Sequence, residues 1–389
     1  MGRRRRCRGG VLVVALALCL LQLSLALPAS AADDGGRIEA RWQATGADAG
    51  PLGAPLADPV DVADGRSRDF TGGSIYWSPA TDAWEVLPPV RDRYLELGGP
   101  GGLLGFPAGV AAPLDPTVGD EAAAGVEGAA EQVFAGGRLY VWREGVFAVS
   151  GAILKRYLRL GASASYLGLP RTDTVAVKGG FRTLFERGRI RWDAATGTTL
   201  VTGRWTPAVR RVTAAEIPYT YRVGCPVRPS LLRWVRMPHY DWDGVPRWGD
   251  LVIRSTAVGD VQRVFARAFA ARFPIRRMKP ADAYDGVDER AMAADNTSAF
   301  NCRKVTGNPY RLSQHSYGNA IDINTRENPY LTSSRVYPPS GRPFLNRSDG
   351  RKGMILRSGP IAKAMAAEGW LWGARWSHPD YQHFSSNGG

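Results

Sequence analysis

The chain has 389 residues, 44% hydrophobic and 22% charged, with 46 Gly, 27 Pro and a net charge of +14. That length excludes one ordinary domain, and that apolar fraction excludes disorder through most of the chain. The charge implies polyanionic surroundings, but past residue 31 no Lys/Arg block exceeds two residues, so the excess is scattered and makes no nucleic-acid footprint.

Arg3, Arg4, Arg5, Arg6 and Arg8 form a basic head. The apolar run 11–27 follows, broken only by Gln22 and Ser24, and Pro28-Ala29-Ser30-Ala31 offers an A-x-A cleavage site. This layout predicts a secretory signal peptide over 1–31; the run is short for a membrane span. Cys19 follows Leu18, where a lipid-modification site needs a small residue. Cleavage removes five arginines and no acid, so the net charge falls from +14 to +9. It also removes Cys7 and Cys19, leaving Cys225 and Cys302 in an oxidising compartment. These two are predicted to pair, closing a loop of roughly 75 residues. No later apolar run reaches transmembrane length, and a cytosolic enzyme is excluded.

Residues 32–203 form a repeat region of three units. Leu52-Gly53-Ala54-Pro55 recurs as Leu104-Gly105-Phe106-Pro107 and as Leu167-Gly168-Leu169-Pro170. Each is followed by an aromatic, a glycine and a short β-prone run ending at Trp77, Trp142 or Trp192. A short amphipathic segment precedes the second and third, holding Tyr94, Leu95 and Leu97, then Leu154, Tyr157, Leu158 and Leu160. Each unit therefore reads as a short helix, a Gly-Pro turn and a β-hairpin whose aromatics pack inward. Segment 112–131, rich in Ala, Gly and acids, reads as an insertion in the second unit. The units resemble the LGFP repeats of secreted actinobacterial wall proteins. The resemblance implies attachment to cell-wall polysaccharide by the array as a whole.

Around 204–224 the repeat fades into a linker, and 225–389 has a different composition. Leu251-Val252-Ile253 reads as a short buried strand. Residues 259–273 show helical spacing, with Val261, Val264, Phe265, Ala268 and Phe269 in one stripe ending before Pro274. A second helix is predicted over 360–368, closed by Gly369.

Four histidines occur: His239, His315, His378 and His383. His315 is followed by Gly318, which permits a turn, and by the alternating run Ala320–Asn324. Ile321 and Ile323 are expected on one face, and Ala320, Asp322 and Asn324 on the other. Asp322 facing back toward His315 makes a plausible metal clamp. Asp380-Tyr381-Gln382-His383 supplies the other half. Two imidazoles and one carboxylate suit a catalytic zinc with an open fourth position. Asp380, three residues before the last ligand, stands where a general base is needed. His378 reads as a rim residue and His239 as structural. Trp370, Trp372 and Trp376 read as core or cleft wall.

S-x-H, six residues, then D, with a late D-x-x-H, resembles the VanY-like peptidoglycan peptidases. These are zinc D-alanyl-D-alanine carboxypeptidases and L-alanyl-D-glutamate endopeptidases. The flanks resemble that family too: 296–303 (NTSAFNCR), Asn328-Pro329-Tyr330, and Gly369-Trp370-Leu371-Trp372-Gly373. The resemblance implies an α+β fold for the peptidase domain 225–389, a small antiparallel sheet with flanking helices and an open zinc site. It implies His315, Asp322 and His383 as zinc ligands and Asp380 as catalytic base. It places Arg303 near the site, to grip a peptide carboxylate or stabilise the oxyanion, with Ser313 beside it as a substrate-binding residue. A salt bridge to a local acid is the other reading of Arg303. One departure is the lack of a G-Y-R-S-type segment well upstream of His315, which leaves specificity open.

The reading is a secreted, wall-associated zinc metallopeptidase acting on peptidoglycan stem peptides, with no nucleic-acid partner. D-alanyl-D-alanine carboxypeptidase is preferred. The alternatives are the L-alanyl-D-glutamate endopeptidase and a non-catalytic wall-binding protein with a retained zinc site.

Overall fold

The computed structural model describes residues 34–115, 128–305 and 308–388. The expected signal peptide and most of the expected 112–131 insertion lie outside the described residues. Among those described, no helix is long and apolar enough to cross a membrane.

The three units share one plan. Helices α1 (Asp34–Ala44), α2 (Val90–Glu96) and α3 (Gly151–Leu160) each precede a Leu-Gly-x-Pro turn and a four-stranded antiparallel meander. The glycine of each turn has positive φ: 66° at Gly53, 63° at Gly105 and 70° at Gly168. A side chain there would be strained, which is why glycine recurs. The carbonyl of each of these glycines accepts a hydrogen bond from an aromatic side chain on the preceding helix. The donors are Trp42 Nε1 at 2.9 Å, the Tyr94 hydroxyl at 2.8 Å and the Tyr157 hydroxyl at 2.6 Å. Each turn proline then pairs with a buried phenylalanine: Pro55 with Phe70, Pro107 with Phe134, Pro170 with Phe185. Tyr76, Tyr140 and Trp142 are buried too, so most of the motif aromatics are core.

Two features exceed the sequence expectation. The first unit also has its helix, α1, anchored by Ile38 and Trp42 one turn apart against Leu52 and Phe70. Each predicted hairpin is the centre of a four-stranded sheet.

The C-terminal part is built on a long hairpin, Leu232–Tyr240 with Pro246–Arg254, which extends the predicted strand at 251–253 to nine residues. Ala208–Arg211 pairs along its edge. Helix α4 (Val258–Ala270) lays the predicted stripe Val261, Val264, Phe265 and Ala268 against Val235, Met237, Leu251 and Ile253 of the hairpin. Helices α5 (Asp288–Ala293) and α6 (Pro360–Ala367) are the other α-helices among the described residues. A second small sheet runs in the order Ala320–Asp322, His383–Ser385, Leu371–Trp372. Ile321, Ile323 and Phe384 send its apolar side into the same core as α4. The last repeat packs on the hairpin: the Tyr166 and Trp248 rings lie 4.8 Å apart, and Val201 shares a core with Val245.

Cys225 and Cys302 form a disulfide, with Cα atoms 6.0 Å apart across a sequence separation of 77. Cys302 is buried beside Phe300, Val252 and Leu232.

His239 is buried on the hairpin, and burial lowers its pKa from 6.5 to about 4. Between those values the unfolded chain binds the proton and the folded chain does not. Stability therefore rises with pH through that window, and the contribution of neutral His239 is lost as pH falls from 6.5 toward 4, an effect of about 3 kcal/mol. Thermal melts of wild type and His239→Gln across pH 4–7 should diverge, with the variant's profile flatter. Parallel profiles would contradict this.

Candidate metal centre

The small sheet creates the site. Asp322 and His383 are direct cross-strand partners in its antiparallel ladder. Side chains so paired share a face and lie close. Asp322 is also bracketed on its other edge by Ser298, through backbone hydrogen bonds of 2.9 and 3.1 Å. His315 arrives on the short 3₁₀ turn Gln314–Tyr317.

The donor atoms converge. His315 Nε2 lies 3.1 Å from Asp322 Oδ2, His383 Nδ1 lies 3.1 Å from Asp322 Oδ1, and the two nitrogens are 3.2 Å apart. An ion held tetrahedrally with bonds of about 2.0–2.1 Å has donor–donor edges of roughly 3.3 Å. The observed spacings are close to that value, with each histidine facing its own oxygen of Asp322, and one ligand atom from each residue can be chosen so that all lie within 4.8 Å of one another. Two nitrogens with a carboxylate are a suitable donor set for a divalent metal. All three residues are buried. Burial opposes ionisation of Asp322, but His315 and then His383 hold it well below the usual carboxylate range.

The flanking segments explain the convergence. His315 Nδ1 hydrogen-bonds the Ala299 carbonyl at 2.5 Å, which fixes the ring and leaves Nε2 as the ligand nitrogen. The Asn301 amide donates to the His315 carbonyl at 3.2 Å, and the Arg303 amide to Ser316 Oγ at 3.0 Å. The 296–303 segment is thus the cradle of His315 and Asp322. Asn328 is structural, its amide group donating to the carbonyls of Ile323, Asn324 and Gly353. At Gly373 a Cβ would come within 2.8 Å of the Asp380 carbonyl oxygen, so only glycine lets this strand end pass Asp380 so closely.

His315, Asp322 and His383 line one cavity of about 460 Å³. Asp380 faces it, buried, with Oδ1 lacking any hydrogen-bond partner. Burial, with Asp322 adding repulsion, pushes its carboxyl up to about 7. Arg303 lines the same cavity but is already paired, Nη2 lying 2.7 Å from Asp288 Oδ2. Ser313 is present at the cavity, yet its hydroxyl accepts the His315 amide at 3.3 Å as the cap of the 3₁₀ turn. Trp376 walls the triad, its ring 5.2 Å from that of His383, whereas Trp370 is core and Trp372 stacks on Phe384. His378 is exposed and absent from the cavity lining.

Sequence reasoning assigns no role to Asp288, Arg311 and Gln382, all of which line the cavity, and marks Tyr330, which also lines it, only as part of a flanking segment. Gln382 carried a signal in its place inside the D-x-x-H segment. It is buried, with Oε1 unpartnered.

Residues 306–386 match the sequence profile of a family described as D-alanyl-D-alanine carboxypeptidase. That match spans the three converging residues and Asp380 but begins after Arg303. Residues 52–102, 116–165 and 167–208 match the LGFP repeat. No curated protein matches the chain.

Proposed function

We propose that this is a secreted zinc metallopeptidase that hydrolyses peptidoglycan stem peptides, removing the terminal D-alanine of D-alanyl-D-alanine, while the repeats hold cell-wall polysaccharide. The supporting observation is that Asp322, His383 and His315 meet within 3.2 Å of one another in a cavity that also holds the buried carboxylate of Asp380, whose Oδ1 has no hydrogen-bond partner. Residues 225–389 form the peptidase domain in this reading, and 204–224 join it to the repeats.

His315 Nε2, His383 Nδ1 and an Asp322 oxygen would hold the zinc, which when bound supplies a Lewis acid for the scissile carbonyl and acidifies water. Asp380 is the general base. A nearby dication draws its carboxyl down from its metal-free value, so it is ionised at neutral pH. It accepts the proton of the attacking water at Oδ1 and delivers it to the leaving amine. Arg303, braced by Asp288, is a fixed cation for the charge that develops on the carbonyl oxygen. Trp376 excludes water from the side of the triad that it covers. A purely structural metal site has no use for a buried carboxylate oxygen left without a hydrogen bond, as Asp380 Oδ1 is, because that costs stability.

The test is to incubate the zinc-loaded protein with a muropeptide ending in D-Ala-D-Ala and to follow products by mass spectrometry. Loss of one alanine, suppressed by chelator, is expected. Cleavage between L-Ala and D-Glu would move the reaction to the endopeptidase. No product from this peptide or from whole sacculi would contradict hydrolysis altogether.

A further inference from the structure

A carboxypeptidase must recognise the free carboxylate one residue beyond the bond it cuts. Two arginines, Arg303 and Arg311, line the cavity. Arg303 is committed. Its Nη2 is on Asp288 at 2.7 Å, its Nη1 donates to the Lys304 carbonyl at 3.0 Å, and the side chains of Arg303 and Asp288 are only 18% and 14% exposed. Pulling this guanidinium onto a substrate would strand Asp288 as a bare, largely buried carboxylate in a cavity that already holds Asp322 and Asp380. Arg311 is in the opposite state. It lies on the strand Asn308–Leu312, the second strand of the hairpin that follows Arg303, and is exposed. Among the described residues it has no hydrogen-bond or ion-pair partner.

Of the two arginines that line this cavity, Arg311 is the one that a substrate carboxylate can engage without breaking an existing ion pair. We propose that Arg311 is the specificity residue that binds the C-terminal carboxylate, restricting the site to peptides with a free acid end. This rests on the peptidase reading above and assigns the two arginines different tasks, Arg311 for the carboxylate and Arg303 for the carbonyl oxygen. The guanidinium fork suits a bidentate contact with a carboxylate.

Binding rather than turnover tests it. The full-length, zinc-loaded Asp380→Asn protein would be titrated by calorimetry with acetyl-L-Lys-D-Ala-D-Ala and with its C-terminal amide. The acid should bind at least about tenfold more tightly than the amide, as expected for a charge-assisted hydrogen bond. Adding Arg311→Gln should equalise the two affinities without moving the thermal midpoint, because the side chain is exposed. Arg311→Lys should restore part of the preference. A preference that survives Arg311→Gln but disappears in Arg303→Gln would overturn the assignment while leaving the peptidase reading intact. Absence of binding by both peptides, with no cleavage of either by the unmutated enzyme, would instead remove the peptidase reading and the assignment with it.

Discussion

Replacing Asp380 with asparagine should lower kcat on a D-Ala-D-Ala peptide by about 10²–10⁴-fold, the usual worth of a positioned general base. The substitution preserves shape and removes only the proton acceptor. Asp380 is not one of the three converging residues, so bound zinc should be unchanged. Stability should hold or rise, because a buried carboxylate held up to about 7 by burial and by Asp322 is replaced with a neutral amide. The check is steady-state kinetics with zinc content and thermal midpoint measured on the same sample. Activity within a few-fold of wild type, at equal zinc content, would remove Asp380 from the mechanism.

The second large effect concerns the disulfide. A cross-link over 77 residues stabilises by about 4–5 kcal/mol in the chain-entropy account. Cys302 stands one residue before Arg303, and its amide donates to the Thr220 carbonyl at 3.0 Å. The bridge therefore ties segment 212–227 to the strip of chain that cradles His315. Cys225→Ser should lower the thermal midpoint markedly and, below that midpoint, reduce kcat/KM through the looser Arg303 and His315. Urea unfolding of wild type against variant reads the first effect directly. A loss below about 1 kcal/mol would show that the packing of Phe300, Val252 and Leu232 holds this region without the bridge.

The legible and illegible parts of this protein differ for physical reasons. His315, Asp322, Asp380 and His383 stood out because histidine is scarce here and because spacing constrains short-range geometry. Strand pairing across the small sheet then set Asp322 opposite His383, residues far apart in the chain. Asp288 had no local pattern, since it reaches the cavity only because α5 is folded over it. The repeats were legible through their Gly-Pro turns and buried aromatics. The first strand of each sheet was not: Val60–Val62, Ala112–Pro113 and Val175–Val177 are two or three residues long and mostly exposed, so they carry no alternating apolar signature. Helix α1 was hidden by Gly35 and Gly36, poor helix formers that only tertiary packing of Ile38 and Trp42 overrides. The hairpin strand Leu232–Tyr240 contains Pro238, and its arginines, Arg233 and Arg236, fall three apart and break the period-two alternation, which masked a nine-residue strand.

The central claim is that His315, Asp322 and His383 together hold a catalytic zinc. Its most direct test is elemental mass spectrometry on protein purified without added metal and then equilibrated with limiting zinc. The geometry predicts one zinc per chain in the wild type. It predicts that Asp322→Ala, still folded by circular dichroism, retains less than a tenth of that. Stoichiometric zinc in folded Asp322→Ala would contradict the account.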